Sequence, residues 1–277
     1  MNQQPQASSP AGQRKQTVNV AHPNGEVMIE CRDVHKAFEG NQVLDGVSCQ
    51  MPSGKITVVM GPSGTGKSVL LRHIVGLLFP DAGDVTVAGK SVPRLREEEL
   101  LDLRRNVGML FQDGALFSSM NLYDNVAFPL RQHTKKSERE IREIVMERLK
   151  EVGLSGAEKS MPNELSGGMR KRAGFARALV LEPEILLFDE PDSGLDPVRT
   201  ALLCDLIKEI QRKHKATGVV ISHDIKSCFN IADHVVLLHG GKVVDQGSKE
   251  EIQASKNEFT RQFIQGDVKG PLGMEED

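Results

Sequence analysis

Apolar positions along the chain follow two periods, and the switches between them mark out its elements. Residues 28–35 and 42–50 read as half-buried strands, joined by the turn Glu39-Gly40-Asn41. Pro52-Ser53-Gly54 makes a second turn, and Ile56-Thr57-Val58-Val59-Met60 then runs as a buried strand into a glycine-rich segment. There the period becomes helical. Leu70, Leu71, Ile74 and Leu77 or Leu78 share the inward face of a helix predicted over residues 67–77. Residues 83–87 and 107–111 return to strand. Between 112 and 166 helical spacing dominates, with Ile141, Ile144, Val145, Leu149 and Val152 in one stripe. Glu138, Arg139, Glu140, Arg142, Glu143, Glu147 and Arg148 stand between them and predict a solvated face with i,i+4 charge pairs. Beyond Ser166 strand and helix alternate again. Residues 185–189, 218–222, 234–238 and 242–244 are predicted strands. Asp196-Pro197 starts a helix, Asp as N-cap and Pro in the first position, with Leu202, Leu203, Leu206, Ile207 and Ile210 turned inward.

Alternating β and α units predict an α/β fold with a parallel sheet, its ligand lying beyond the carboxyl ends of the strands. The helical stretch at about 115–180 is expected as an inserted subdomain. No internal repeat is visible, so the chain holds one such unit. Residues 1–25, rich in Gln, Ser, Pro and Asn, lack the basic-then-apolar pattern of a signal peptide and read as a solvated tail. The folded domain is expected over 26–265, with a second tail at 266–277.

Bulk properties remove several function classes. With 39% hydrophobic and 26% charged residues the composition is that of a globular protein. No apolar run approaches the roughly eighteen residues that cross a bilayer. A net charge of −3 gives no general basic field for nucleic acid, and 4% aromatics without Trp leave little for stacking bases. Cys31, Cys49, Cys204 and Cys228 form no C-x-x-C, which argues against zinc or a disulfide framework and for buried or idle thiols.

The chemistry is concentrated in three strings. Gly61-Pro62-Ser63-Gly64-Thr65-Gly66-Lys67-Ser68, followed by Val69, is a full match to the phosphate-binding loop G-x-x-x-x-G-K-[ST]. Its glycines let backbone N–H groups turn onto phosphate oxygens, Lys67 places a cation on the β- and γ-phosphates, and the Ser68 hydroxyl ligates Mg²⁺. Asp189 and Glu190 end an apolar strand, where unpaired buried charge would be expensive. Asp189 is therefore expected to hold Mg²⁺, and Glu190 to polarise the attacking water. Ser166-Gly167-Gly168 opens a helix, with Ser166 as its cap and its N–H groups free to meet an anion.

In this order, with Leu165 before Ser166 and Met169 after Gly168, the strings resemble the ATP-binding-cassette (ABC) ATPases. The resemblance covers about residues 28–265. It implies a nucleotide-binding domain with a RecA-like, mostly parallel sheet, N-terminal antiparallel strands and the inserted helical subdomain. It also implies that ATP is clamped between the phosphate loop of one copy and the Leu165–Met169 helix start of a second. By the same resemblance Gln112 senses Mg²⁺ and the attacking water, and His223 contacts the γ-phosphate. Asp196 belongs to the loop that communicates across the dimer, and Phe38 stacks on adenine. The family more often has Gln at position 169.

Residues 111–117 and 120–130, with Asp189-Glu190-Pro191-Asp192-Ser193-Gly194-Leu195-Asp196-Pro197, narrow the resemblance to the Mla/Mce lipid-transport group, most closely to actinobacterial Mce ATPases. The implied role is a cytoplasmic ATPase at the inner face of the cell membrane. It would pair with a second copy, dock on an integral-membrane permease dimer, and through it serve a lipid-binding Mce/MlaD-like protein. Residues 114–130, with Leu116, Phe117, Met120, Leu122, Phe128 and Leu130, are the expected docking surface. An ABC importer ATPase for an amino acid or metal is the alternative. A soluble ABC protein acting on ribosomes or DNA fits a single cassette less well, and the intact Lys67, Asp189, Glu190 and His223 oppose a non-catalytic scaffold.

Overall fold

Side chains along the central strands point alternately to two cores, and that alternation organises the molecule. The structure is a computed structural model describing residues 27–222, 224–267 and 270–271. It begins with β1 (Val27–Phe38) and β2 (Asn41–Pro52), an antiparallel pair turned at Glu39-Gly40, and continues into β3 (Ile56–Met60) and α1 (Lys67–Ile74). Next come β4 (Ala82–Val87), β5 (Lys90–Ser91), α2 (Glu97–Arg105) and β6 (Val107–Leu110). Three helices follow: α3 (Leu122–His133), α4 (Glu138–Glu151) and α5 (Gly167–Leu179). The chain then runs through β7 (Ile185–Asp189), α6 (Pro197–His214), β8 (Thr217–Ile221), α7 (Ile225–Ile231) and β9 (His234–His239). It closes with β10 (Lys242–Ser248), α8 (Lys249–Gln253) and α9 (Glu258–Gln265).

The strands form two sheets. A six-stranded sheet has the order β10-β9-β3-β8-β7-β6, parallel throughout except for β10, which pairs antiparallel with β9. A four-stranded antiparallel sheet has the order β2-β1-β4-β5. In β3, Val58 and Met60 face the core shared with α3–α6, while Val59 faces the core shared with the antiparallel sheet and α1. β7 divides likewise, Leu186 and Phe188 to one side, Ile185 and Leu187 to the other. A strand covered on both faces needs a continuous apolar run, as Ile56–Met60 and Ile185–Asp189 supply. Cys31, Cys49, Cys204 and Cys228 are all buried free thiols.

Three expectations need correction. Helix α1 stops at Ile74, not at 77, because Gly76 takes φ +63° and the chain closes a Schellman turn: Gly76 N–H donates to His73 O and Leu77 N–H to Arg72 O. Leu77 is consequently 54% exposed. Leu202 is also outside, at 64% exposure, since the buried stripe of α6 runs through Thr200, Leu203, Cys204, Ile207 and Ile210 and leaves Leu202 a hundred or so degrees away. Arg148 is not on a solvated face. It falls in phase with Ile141 and Val145, is buried, and bonds Glu151 and Glu182, both at 3.0 Å.

Candidate functional site

The parallel strands β3, β6, β7 and β8 all end at the same edge of the sheet, so the segments after them gather there. From β3 comes the loop at 61–66. Gly61 has no room for a side chain: a Cβ would lie 2.1 Å from Leu238 O. Gly66, at φ +91°, would press a Cβ to 2.7 Å from Leu44 Cδ2. Gly66 also stands at the N-cap of α1 and offers no side-chain cap, so the first N–H groups of the helix, those of Lys67, Ser68 and Val69, keep their donors. Ser63, Gly64, Gly66, Lys67, Ser68 and Val69 line a cleft of about 390 Å³, with Val43 of β2 and Glu190 across it. Thr65 braces the loop from within, its hydroxyl donating to Pro62 O at 2.9 Å.

Two side chains at this cleft are poised for a charged guest. Lys67 is buried and folds back to donate to Gly61 O at 2.9 Å and Pro62 O at 2.7 Å. Burial lowers its pKa, opposed by the negative charges of Glu190 and Asp189. Ser68 Oγ donates to Asp189 Oδ1 at 2.8 Å, uniting the loop with the end of β7. A hydroxyl and a carboxylate in contact beside a buried ammonium form a hard-oxygen pair of the kind that suits Mg²⁺. Among the described residues no group of three or more His, Cys, Asp or Glu is placed to hold a metal ion.

Glu190 follows Asp189 at φ +49°, a left-handed conformation that costs a non-glycine residue about 1–3 kcal/mol. Its N–H donates to Ile221 O of β8 at 2.9 Å, and its carbonyl accepts from Ser193 N–H at 3.2 Å. Gln112, just past β6, donates from Nε2 to Ser193 Oγ at 2.9 Å and so joins the same loop. Asp196 caps α6, accepting from Arg199 N–H at 3.0 Å. Phe38 ends β1 with its ring 39% exposed and Lys36 Nζ 5.5 Å from the ring centroid. His223 lies outside the described residues.

Ser166, Gly167 and Gly168 are elsewhere. Ser166 accepts from Met169 N–H at 3.3 Å and caps α5, but it is exposed. Ser166 and Gly168 line a separate cleft of about 570 Å³ with Met169, Leu195, Leu202 and Arg199. Neither glycine is demanded by its own chain, since a Cβ at Gly167 or Gly168 would meet nothing closer than 3.9 Å. One copy of the chain therefore brings together the phosphate loop, Asp189, Glu190 and Gln112, and leaves the Ser166 helix start facing outward.

The segment 114–130 divides between core and surface. Leu122 and Leu130 are buried, whereas Phe117 is 43% exposed and rests on Phe128 at 5.0 Å. Arg177 of α5 holds the turn, donating to Ala115 O and Gly114 O, with its guanidinium 5.5 Å from the Phe117 ring centroid. Asn125 accepts from Phe117 N–H and donates to Phe117 O. Other apolar side chains also face out: Leu77, Phe79, Leu101 and Phe111. The first three belong to neighbouring elements, because Arg104 of α2 donates to Val75 O and Gly76 O at the end of α1. Val43 and the buried Lys171 escaped notice as site residues, the latter hidden in the basic string Arg170-Lys171-Arg172. No described helix is long and apolar enough to cross a membrane.

Comparison with known proteins agrees with this geometry. The family model described as ABC transporter matches residues 44–193, more than half of the chain. The Mycobacterium leprae protein named "Probable ribonucleotide transport ATP-binding protein mkl" is 49% identical over 251 residues, 91% of this chain and 72% of that one. The Escherichia coli intermembrane phospholipid transport system ATP-binding protein MlaF is 44% identical over 245 residues, 88% of this chain and 91% of its own. Among solved structures, cbiO1 from Clostridium perfringens, part of the ABC transporter complex cbiONQ, superposes with a TM-score of 0.77 at 30% identity, covering 84% of this chain and 92% of that one. The dimeric ATP-binding cassette MJ0796, bound to ADP and Pi after hydrolysis, gives 0.74 at 30% identity, covering 80% and 99%.

Proposed function

The chain belongs to the ABC transporter family as an ATP-binding subunit, and from that premise we propose that two copies hydrolyse ATP in shared sites to drive a lipid-moving permease. The observation that carries the reading is the meeting of Lys67, Ser68 and Glu190 at one cleft, with Asp189 joined to it by the 2.8 Å bond from Ser68. The glycine loop and the uncapped start of α1 accept the phosphates, with Lys67 against the β- and γ-groups. Phe38 offers its exposed ring to adenine. Ser68, Asp189 and Gln112 would hold Mg²⁺, which when bound neutralises phosphate charge. Glu190 orients a water and takes its proton as the water oxygen bonds to the γ-phosphorus and the bond to the β-phosphate oxygen breaks, releasing ADP and phosphate. Ser166, Gly167 and Gly168 would close over the γ-phosphate held by the other copy, where the spare room above both glycines admits a ligand from outside. Asp196 lies beside that contact, and His223 is assigned to the γ-phosphate by resemblance.

Glu190→Gln should keep ATP binding while hydrolysis falls about 10²–10⁴-fold, the usual worth of a positioned base. The ATP-bound dimer should then accumulate on size-exclusion chromatography. Near-normal turnover in this variant would remove Glu190 from its role.

Lipid as cargo rests on the likeness to MlaF and on the apolar segment 114–130, which would receive a permease helix on the membrane's cytoplasmic side. The exposed Phe117 is its foremost anchor, and truncating such an anchor costs about 2 kcal/mol. Charges placed at both Phe117 and Met120 should abolish co-purification with the permease in detergent and stop lipid transfer, while nucleotide binding survives. Undiminished co-purification and transfer would overturn the docking assignment.

A further inference from the structure

The strained backbone of Glu190 is held by bonds at its own residue, and the loop that follows it is held as well. The two residues after it are Pro191 and Asp192, and the carbonyls of Pro191 and Ser193 both turn toward α5. There they accept from one group, the Nζ of Lys171, at 2.8 Å for Pro191. Lys171 is 4% exposed. Burial lowers its pKa, opposed by the charges of Asp192, Asp113 and Glu190 that face it. Burying an ammonium is costly, and an apolar side chain of the same length would fill the space more cheaply. What the ammonium adds is two directed bonds to the backbone of a single loop. Gln112 fixes that loop from its other side through Ser193 Oγ.

We propose that Lys171 is a positioning residue for hydrolysis, fixing through the carbonyls of Pro191 and Ser193 the loop that presents Glu190. Lys171 is one turn into the helix that Ser166 caps and that Gly167 and Gly168 begin. That helix start, on the reading proposed above, meets the nucleotide held by the other copy. A rigid helix therefore links engagement at one ATP site to the placement of Glu190 at the second, and the inference rests on that shared-site reading.

A double-mutant cycle separates positioning from mere stability. Lys171→Met should lower kcat about 10- to 100-fold, the scale of a catalytic group displaced by about 1 Å, with KM for ATP changed less than twofold. In the Glu190→Gln background the same substitution should cost almost nothing, because the group it positions has already lost its function. Lys171→Gln, which keeps amide donors without charge, should fall between Lys171→Met and the parent, and it is read through the same cycle if Lys171→Met does not fold. Equal losses in both backgrounds, or an unchanged kcat, would overturn the positioning role. Near-normal turnover of Glu190→Gln alone would instead overturn the proposed role of Glu190, so the two failures are distinguishable.

Discussion

The starts of α1 and α5 use one chemistry, the open N–H groups of a helix N-terminus beside glycines, to opposite ends. At α1 the cradle is finished within the chain. Gly61 and Gly66 are forced by their neighbours, Lys67 is buried, and no side chain caps the helix. At α5 Ser166 caps the helix, stands exposed, and is followed by two glycines that nothing in the chain requires. A cradle shaped from within is complete for binding. A surface whose small residues serve no internal contact is shaped for something arriving from outside. The two line separate clefts, and the proposed exchange of surfaces between two copies would account for both.

The largest single effect expected on this contrast is at the finished cradle. Lys67→Ala removes a buried cation from the phosphates, and ATP affinity should fall by about 3 kcal/mol, roughly 10²-fold, in calorimetric titration. Unchanged affinity would mean that the cradle does not depend on its charge. A smaller effect is expected where the α4–α5 lobe is fastened to the sheet lobe. Glu151 of α4 accepts from Lys213 of α6 at 2.6 Å and from Arg148 at 3.0 Å. Burial pushes the Glu151 carboxyl up, but the Lys213 hydrogen bond and the charges of Arg148 and His214 outweigh it and hold the carboxyl below its ordinary value of 4.5. A lowered carboxylate stabilises the fold above its unfolded value, and that contribution is lost as pH falls through the folded one. Arg148→Ala should cost about 2 kcal/mol at neutral pH, somewhat less than a fully broken buried pair because Lys213 remains, and should move acid unfolding to higher pH. Urea titrations at several pH values measure both, and an unaltered acid limb would remove Arg148 from the network.

Much of this molecule was legible because its strands are buried on both faces. Ile56–Met60 and Ile185–Asp189 were placed to the residue, as continuous apolar runs bounded by turns allow. The start of α6 was equally plain from Asp196-Pro197. Errors came where one side chain had to be assigned within a helix. Gly76 carried the stop signal for α1, but the apolar residues beyond it suggested more helix. Arg148 was read by its charge and Lys171 was passed over, although each lies in phase with buried neighbours: Lys171 with Phe175 and Leu179, Arg148 with Ile141 and Val145. Periodicity held that information, and the expectation that charge means solvent hid it. β5 and α8 are short and α2 is largely polar, and their patterns were too weak to stand out.

The exchange of surfaces between copies is tested most directly in a mixed dimer. One copy carries Ser166→Arg and the other Lys67→Ala, both in the Glu190→Gln background so that ATP is trapped. If each site joins the Lys67 cradle of one copy to the Ser166 helix start of the other, the mixture keeps one intact site. The account predicts about one occluded ATP per mixed dimer by radiolabelled nucleotide after gel filtration, and none with either variant alone. If each site instead lay within a single copy, both copies would be broken, and a mixed dimer that occludes no ATP would contradict the account.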